Sequence, residues 1–430
     1  MEEAFGAADC LSGFVIGTLN IRFNLVNIGG RAHNRTRCKM VRSFQYRFYP
    51  TAAQKIALAK TFGCARYVYN WALNLRTTAW RERRESIGYG ATSAGLTRLK
   101  HQPETAWLNE VCAAPTQQAL RHLQTAFVNF WQNGAAYPSF KKRDGRQSAA
   151  FTRRGFQWDG KTLNVTRVGK LSIHWSRRFS MSPSTVDLSR TPSGRYYVSF
   201  RVDEPLAPMP ATEGAIGIDL GLTCFAAFSD GSKHQAPRPL RRKMAQLKRA
   251  QKALSRKQRG SRNRIKAKLR VAKIHQKISD IRRDDLHKLS TRLVRENQMI
   301  AVEDLNVRGM MANHSLAGAI GDSGWSEFVR QLQYKCEWQG RTFVRIDRWC
   351  PSSKTCSACG AVVDSLPLDV RAWACPECGV EHDRDVNAAR NILAAGLAVM
   401  IACGGDVRPE RRSRRKGSCR RSTNRLVACA

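Results

Sequence analysis

Residues 356–360 read CSACG and residues 375–379 read CPECG, with fifteen residues between the second cysteine and the third. No other feature of the chain restricts its fold so tightly. Two Cys-x-x-Cys knuckles turn their sulfurs towards one point, and four thiolates close a tetrahedral shell around zinc at about 2.3 Å per bond. Gly360 and Gly379 follow the two pairs and permit the tight turn that each knuckle needs. One Zn2+ is therefore expected on Cys356, Cys359, Cys375 and Cys378. A full shell has no open position for water, so that zinc is read as structural. Cys350 lies close by, but the shell is complete without it, and it reads as an ordinary cysteine. The chain has 14 cysteines, most of them scattered. Without a convincing secretion signal, this pattern argues for metal binding in a reducing cytosol rather than a disulfide framework.

Charge narrows the partners. The chain of 430 residues carries 73 Lys or Arg against 33 Asp or Glu, a formal +40. Such a surface repels itself until it meets a polyanion, and nucleic acid is the usual one. The charge is also clustered. Residues 241–300 hold 21 Lys or Arg and 4 Asp or Glu. Apolar positions at Leu247, Leu254, Ile265, Leu269, Ile274 and Ile278 give that stretch a helical face, and RKQRGSRNR around Gly260 reads as the turn of a hairpin spanning 241–283. Acidic partners for i,i+4 pairs are nearly missing, so Arg256, Lys257, Arg259, Arg262 and Arg264 are expected to meet phosphates. The segment 403–430 is again basic and reads as a disordered tail. No run of about 20 apolar residues suggests a membrane span. Arg22 and Asn24 interrupt the apolar stretch near the start, and Met40 stands just before the first clear strand. Residues 1–39 therefore read as an N-terminal extension.

VRSFQYRFYP (41–50) alternates apolar and polar residues and stops at Pro50, as a strand does. Thr51 is placed to cap a helix, with a break expected at Gly63 and a second helix after it. A third helix begins near Pro115 and should turn Ala119, Leu120, Leu123 and Phe127 inward. Residues 51–134 thus read as a helical lobe inserted into a β-barrel domain that occupies 40–50 and 135–212. Tyr46, Lys141, Lys142 and Arg143 are candidate nucleic-acid contacts there. Tyr67, Tyr69 and Trp71 could either stack on bases or fill the helical core.

Three acids stand where carboxylates are unusual. Asp219 lies in the apolar run of GAIGIDLGL, and Glu303 ends the apolar strand MIAVE. Asp385 precedes the helix-like VNAARNIL directly after the second knuckle. An unpaired carboxylate in an apolar strand is costly unless a cation holds it. Two strand acids and one at a helix start suit a pair of Mg2+ ions, whose preferred ligands are hard oxygens. Such a pair can activate a water and stabilise a leaving oxygen in phosphodiester cleavage.

YRFYPTAAQ, IGIDLGL, SRKQRGSRNR, VEDLNVRGM, PSSKTCSACG and HDRDVNAARNIL together give the resemblance. From Met40 to about residue 400 the chain resembles TnpB, the family carried by bacterial insertion sequences and related to type V CRISPR nucleases. The resemblance implies an α/β, RNase H-like (RuvC-like) core over 213–354 and 381–402, with a zinc ribbon at 355–380 inserted before the last catalytic segment. It implies catalytic roles for Asp219, Glu303 and Asp385, and it prefers Asp385 to Asp383 because the family's catalytic Asp lies two residues before the Asn. It further implies a guide RNA made from the transposon end, a double-stranded DNA target, and cleavage by an RNA-guided endonuclease. A monomer in the bacterial cytoplasm, associated with the nucleoid, is the accompanying expectation. Cys350 departs from the family, which often has an aromatic there.

Other readings are weaker. IGIDLG also opens actin-like ATPases and sugar kinases, but no second Asp-x-Gly phosphate hairpin follows. A zinc-ribbon DNA-binding regulator would bind without cutting. A transposase that joins DNA ends is the runner-up, because such a gene would also sit in a transposon.

Overall fold

The computed structural model describes residues 39–205, 208–367 and 369–402; the expected extension, up to residue 38, and the expected tail, 403–430, lie outside the described residues. Strand β1 (Lys39–Phe48) buries Phe44, Tyr46 and Phe48 and exposes the residues between them. Thr51 then caps α1 (Ala52–Arg83) reciprocally: its hydroxyl accepts from Gln54 N at 3.3 Å, and Gln54 Oε1 accepts from Thr51 N at 3.0 Å. The expected break at Gly63 does not occur, and α1 runs unbroken for 32 residues. A mid-helix glycine costs only about 1 kcal/mol relative to alanine. Here Leu58, Phe62, Ala65, Val68, Ala72 and Leu73 are buried on both sides of it, which outweighs that cost. Helix α2 (Tyr89–His101), a 3-10 turn and α3 (Ala113–Gln132) complete the lobe. Helix α3 buries Ala119, Leu120, Leu123 and Phe127 against α1, the four positions read from the sequence.

The chain then forms β2 (Gln147–Thr152), β3 (Phe156–Trp158), β4 (Leu163–Val165), β5 (Gly169–Lys170), β6 (Ile173–His174), β7 (Thr185–Arg190) and β8 (Tyr196–Pro205). These strands make an antiparallel five-stranded sheet, ordered β2-β7-β8-β1-β6, and a three-stranded sheet, β3-β4-β5. Both sheets bury onto one aromatic core, where Tyr46, Trp158, Trp175, Phe179 and Phe200 pack ring against ring.

A second, α/β layered unit follows: β9 (Ala215–Asp219), β10 (Ala226–Phe228), β11 (Lys233–His234), α4 (Pro239–Ser255), α5 (Arg262–Glu296), β12 (Met299–Glu303), α6 (Val307–Met310), α7 (His314–Ser323), α8 (Trp325–Gln339), β13 (Thr342–Ile346), β14 (Ala372–Ala374), β15 (Glu381–Asp383) and α9 (Arg384–Ala402). Its main sheet is ordered β11-β10-β9-β12-β13, and β9, β12 and β13 run parallel. Helices α5 and α8 cover one face through Leu286, Leu289, Leu293, Phe328 and Leu332. Helix α9 covers the other, where Ile392 meets Met299, Ala301, Val344 and Ile346.

Gly260, at φ 83°, makes the turn between α4 and α5. Helix α5 continues past residue 283 to Glu296, because Leu286, Leu289 and Leu293 dock on the sheet and carry the helix on. By length and apolarity α9 would pass for a membrane span, yet Asn387, Ala388, Ala389, Ile392 and Gly396 are sunk against the protein.

Candidate active site and metal centre

Parallel pairing places two acids side by side. Val302 of β12 lies opposite Ile218 of β9, and the next residue on each strand is the acid that ends it, Glu303 and Asp219. The carboxyl ends of parallel strands are where open α/β sheets bind ligands. Asp385 arrives in the first turn of α9. All three carboxylates line one polar cavity of ≈ 290 Å³, with Arg348, Cys350, Ser352, Ser353 and Arg384. The sequence had treated Cys350 as an ordinary cysteine; it belongs to this cavity wall.

Glycine sets the approach of α9. A Cβ on Gly217 would lie 2.1 Å from Ala389 O and 2.7 Å from Leu393 N, so only a bare backbone lets the helix lie this close to β9. Gly217 precedes Asp219 by two residues, and Ala389 follows Asp385 by one helical turn. One backbone contact therefore governs the separation of two of the acids.

Like charges and burial leave two of these acids, Asp219 and Glu303, reluctant to ionise. Burial first, then the charges of Asp385 and Glu303, push the Asp219 carboxyl up to about 7. Burial first, then Asp304, raises Glu303. A group of confined carboxylates is relieved by a cation. Three hard oxygen donors around a polar cavity fit a divalent metal of the magnesium type rather than a thiophilic one.

The neighbouring Asp383 is occupied differently. Its Oδ2 accepts from Lys233 Nζ at 2.7 Å, and its Oδ1 accepts from Val386 N at 3.1 Å, capping α9. Burial works to raise its pKa, but the Lys233 hydrogen bond and the cap outweigh burial and hold it below the usual range. Asp383 does not line the cavity; Asp385 does. Three arginines missed in the sequence touch the site, and Arg348 lines the cavity while pairing with Asp304. Arg371 donates to Asp385 Oδ1 at 3.5 Å and to Thr223 Oγ1 at 3.2 Å. Arg384 is buried, donates to Pro367 O at 2.5 Å, and its charge lowers the Asp219 pKa against the larger upward push. Arg384 had a visible signal, since it stands between Asp383 and Asp385.

The knuckles form as their spacing implies. The ligand atoms of Cys356, Cys359, Cys375 and Cys378 all lie within 4.8 Å of one another. Cys356 and Cys378 sulfurs are 3.7 Å apart, as are those of Cys359 and Cys375. A tetrahedral zinc thiolate shell requires sulfur separations of about 3.8 Å, so the four residues fit the ion. Gly360 and Gly379 adopt φ 83° and 72°, which favour glycine.

This knuckle is fastened to the helix that carries Asp385. Asn387 Nδ2 donates to Thr355 O at 2.7 Å, and Asn387 Oδ1 accepts from Ser357 N at 2.9 Å. Asn391 Nδ2 donates to Ser352 O at 2.7 Å and Thr355 O at 2.6 Å. His382 Nε2 lies 3.0 Å from Cys356 Sγ, and the His382 ring packs against Trp373.

The expected nucleic-acid contacts divide. Tyr46 is 2% exposed and fills the aromatic core, so the expectation of a contact there is corrected. Lys141 and Lys142 line a basic cleft between the lobe and β2, with Arg66, His122 and Arg146; the Lys141 amine lies 4.0 Å above the Tyr69 ring. Arg143 is exposed. Tyr69 is buried, and Tyr67 packs edge-on against Trp107. In the hairpin, Arg256, Lys257, Arg259 and Arg262 are exposed and make no ion pair among the described residues. Arg264 has another task. Its guanidinium donates to Leu254 O at 3.0 Å and Lys257 O at 2.7 Å, closing the end of α4. It braces the turn rather than waiting for a phosphate.

The chain is similar to a Streptomyces pristinaespiralis protein named "Putative RNA-guided DNA endonuclease", with 50% identity over 87% of this chain and 94% of that one. The chain belongs to the TnpB family. An Escherichia coli relative named "Putative RNA-guided DNA endonuclease InsQ" is 31% identical over 85% of this chain and 94% of its own. A family model described as "Probable transposase" matches residues 197–314, and one described as "Cas12f1-like, TNB domain" matches 325–392. A third, "Helix-turn-helix domain", matches 40–85, a stretch that here is β1 followed by the single helix α1. The fold is similar to the protein of a Cas12f1–sgRNA–target DNA complex, with TM-score 0.51 and 13% identity over 82% of this chain and 98% of that one. For a TnpB chain, the "TNB" match is informative: it spans the four cysteines and Asp385 in one segment.

Proposed function

We propose that this TnpB chain is an RNA-guided DNA endonuclease that hydrolyses phosphodiester bonds at a RuvC-like site. The observation that carries the reading is the meeting of Asp219, Glu303 and Asp385, from three distant segments, on one polar cavity at the carboxyl ends of parallel strands. In this reading these carboxylates hold two Mg2+ ions, which when bound supply an activated water and charge for the leaving oxygen. Arg348 and Arg384 face the same cavity and offer positive charge to a phosphate. Asn387 and Asn391 hold the zinc-bound knuckle against α9 and so keep Asp385 in place. The basic faces of the hairpin and of the cleft at Lys141 and Lys142 would grip phosphates of guide and target. Sequence choice would then fall to pairing between guide and target. The guide would derive from the transposon end.

The test is to purify the protein with its bound RNA and sequence that RNA. Plasmid DNA matching the guide is then offered with Mg2+. Sequence-directed cuts, lost on chelation and lost in Asp219→Ala, support the reading; wild-type protein that binds the target but never cuts it would sink it. The family description "Probable transposase" keeps end joining as the second reading. It requires covalently joined products, whereas hydrolysis leaves free ends.

A further inference from the structure

Trp349 is 84% exposed, more than any other large apolar side chain among the described residues. Leaving an indole in water forgoes roughly 2 kcal/mol or more of burial, and the loop that carries it is not slack. Trp349 N donates to Asp347 Oδ1 at 3.0 Å, Cys350 N to Asp347 O at 3.1 Å, and Ser352 N to Cys350 O at 2.7 Å. The preceding Arg348 is tied to Asp304 at 2.8 Å. A firmly held loop therefore presents a free aromatic ring. Its place matters more. Arg348 and Cys350, on either side of it in the chain, line the carboxylate cavity, and so do Ser352 and Ser353. The ring is thus carried by the same short loop that supplies this wall of the cavity, between an arginine and a cysteine that line it.

Resting on the nuclease reading above, we propose that Trp349 stacks on an unpaired base of the DNA strand entering this cavity, next to the phosphate to be cut. An aromatic face beside a cationic groove is how proteins hold single-stranded nucleic acid without reading its sequence. Inside a duplex each base face is already covered by its neighbours, so the ring can act only on a strand that pairing with the guide has displaced or opened. Trp349 would thus be a positioning residue. It would fix the register of the strand, and hence which phosphate meets the acids.

Two measurements test this. The first needs no cleavage: a short single-stranded DNA carrying a fluorescent purine analogue is titrated with the RNA-loaded protein in chelator. Quenching is expected with wild type and Trp349→Phe, and is expected to be lost with Trp349→Ala. The second is an abasic-site scan of the target strand around the cut, read as single-turnover cleavage rates. In wild type, removal of one particular base should slow cutting about tenfold, the worth of one base–aromatic stack. In Trp349→Ala the intact target should be slowed by a similar factor and its cuts spread over neighbouring positions, with no further loss from that abasic site. Equal quenching by wild type and Trp349→Ala, or the same abasic profile in both, would overturn the assignment. Wild-type protein that quenches the probe yet cuts no matched target would instead count against the nuclease reading alone.

Discussion

The carboxylate cavity and the α4–α5 hairpin each concentrate one sign of charge, and they are built in opposite ways. In the cavity the charged groups are few, partly buried and fixed by backbone. Gly217 lets α9 lie on β9, Asn387 and Asn391 pin the knuckle, and Asp383 caps the helix. On the hairpin the charges are many and mostly exposed; Lys268 pairs with Asp144 and Arg282 with Asp322, Arg264 holds the turn, and Arg256, Lys257, Arg259 and Arg262 stay unpaired among the described residues. Confinement raises the energy of ionised carboxylates until a cation arrives, so position there is decisive. Exposed arginines gain from any polyanion within reach, so their number matters more than their place. The cavity should therefore respond to single changes, and the hairpin only to several together.

Replacement of a single acid gives the largest expected effect. Asp219→Asn, Glu303→Gln or Asp385→Asn should each cut cleavage at least about 10³-fold, with guide binding unchanged, and double variants should lose little more. Asp383→Asn should cost only a few-fold, since its task is a cap and an ion pair. Single-turnover rates for the four variants decide the matter. If Asp383→Asn is the lethal change and Asp385→Asn is tolerated, the wrong carboxylate has been assigned.

Loss of the knuckle comes next. Purified protein should carry about one zinc per chain. In Cys375→Ser that content should fall, melting should drop, and amide exchange should speed up at Ser357 and along the first turn of α9. Cleavage should fall with it while hairpin binding persists. Zinc-free protein with full activity and unchanged melting would remove the link between ribbon and acid.

Only a cumulative change should register on the hairpin. Neutralising Arg256, Lys257, Arg259 and Arg262 together should lower the slope of log affinity against log salt by about 0.7–0.9 per lost phosphate contact. Base preference should stay as it is, because phosphate contacts carry no sequence information. Arg264→Gln alone should reduce helix stability in the turn more than it reduces the salt slope. A four-site variant with the wild-type slope would place those charges in idle solvent.

The gentlest probe is pH. Folding raises the Asp219 pKa from an ordinary 3.8 to about 7. The stability this contributes is fully present below the unfolded value and is lost as pH rises through about 7. A cation that needs the ionised carboxylate competes with the proton. Magnesium affinity, read as the metal-induced rise in melting temperature, should therefore climb with pH up to about 7, by at most about tenfold per unit, and level off above. Asp219→Asn should flatten that dependence.

Local patterns in the sequence reached the parts that local chemistry builds. The knuckles, the acids ending apolar strands and the Gly260 turn each follow from a few adjacent residues. What escaped depends on distant ones. The long α1 survives Gly63 because the lobe packs on both sides of it. Arg371 reaches Asp385 from within the ribbon, and Arg264 turns back on a helix end that only the folded hairpin supplies. Tyr46 is a different kind of miss. It shares its strand parity with Phe44 and Phe48, so its inward direction was written in the alternation and was passed over for its hydroxyl.

The order of the acids along the chain has a consequence for synthesis. Asp219 and Glu303 leave the ribosome early, together with the basic hairpin between them. Asp385 emerges only after both knuckles, on a helix held in place by the knuckle it follows. A nascent chain can thus carry the whole basic hairpin while still lacking one of its three carboxylates. A stop codon or ribosomal stall between the two knuckles would leave a product with the hairpin and only two of the three acids.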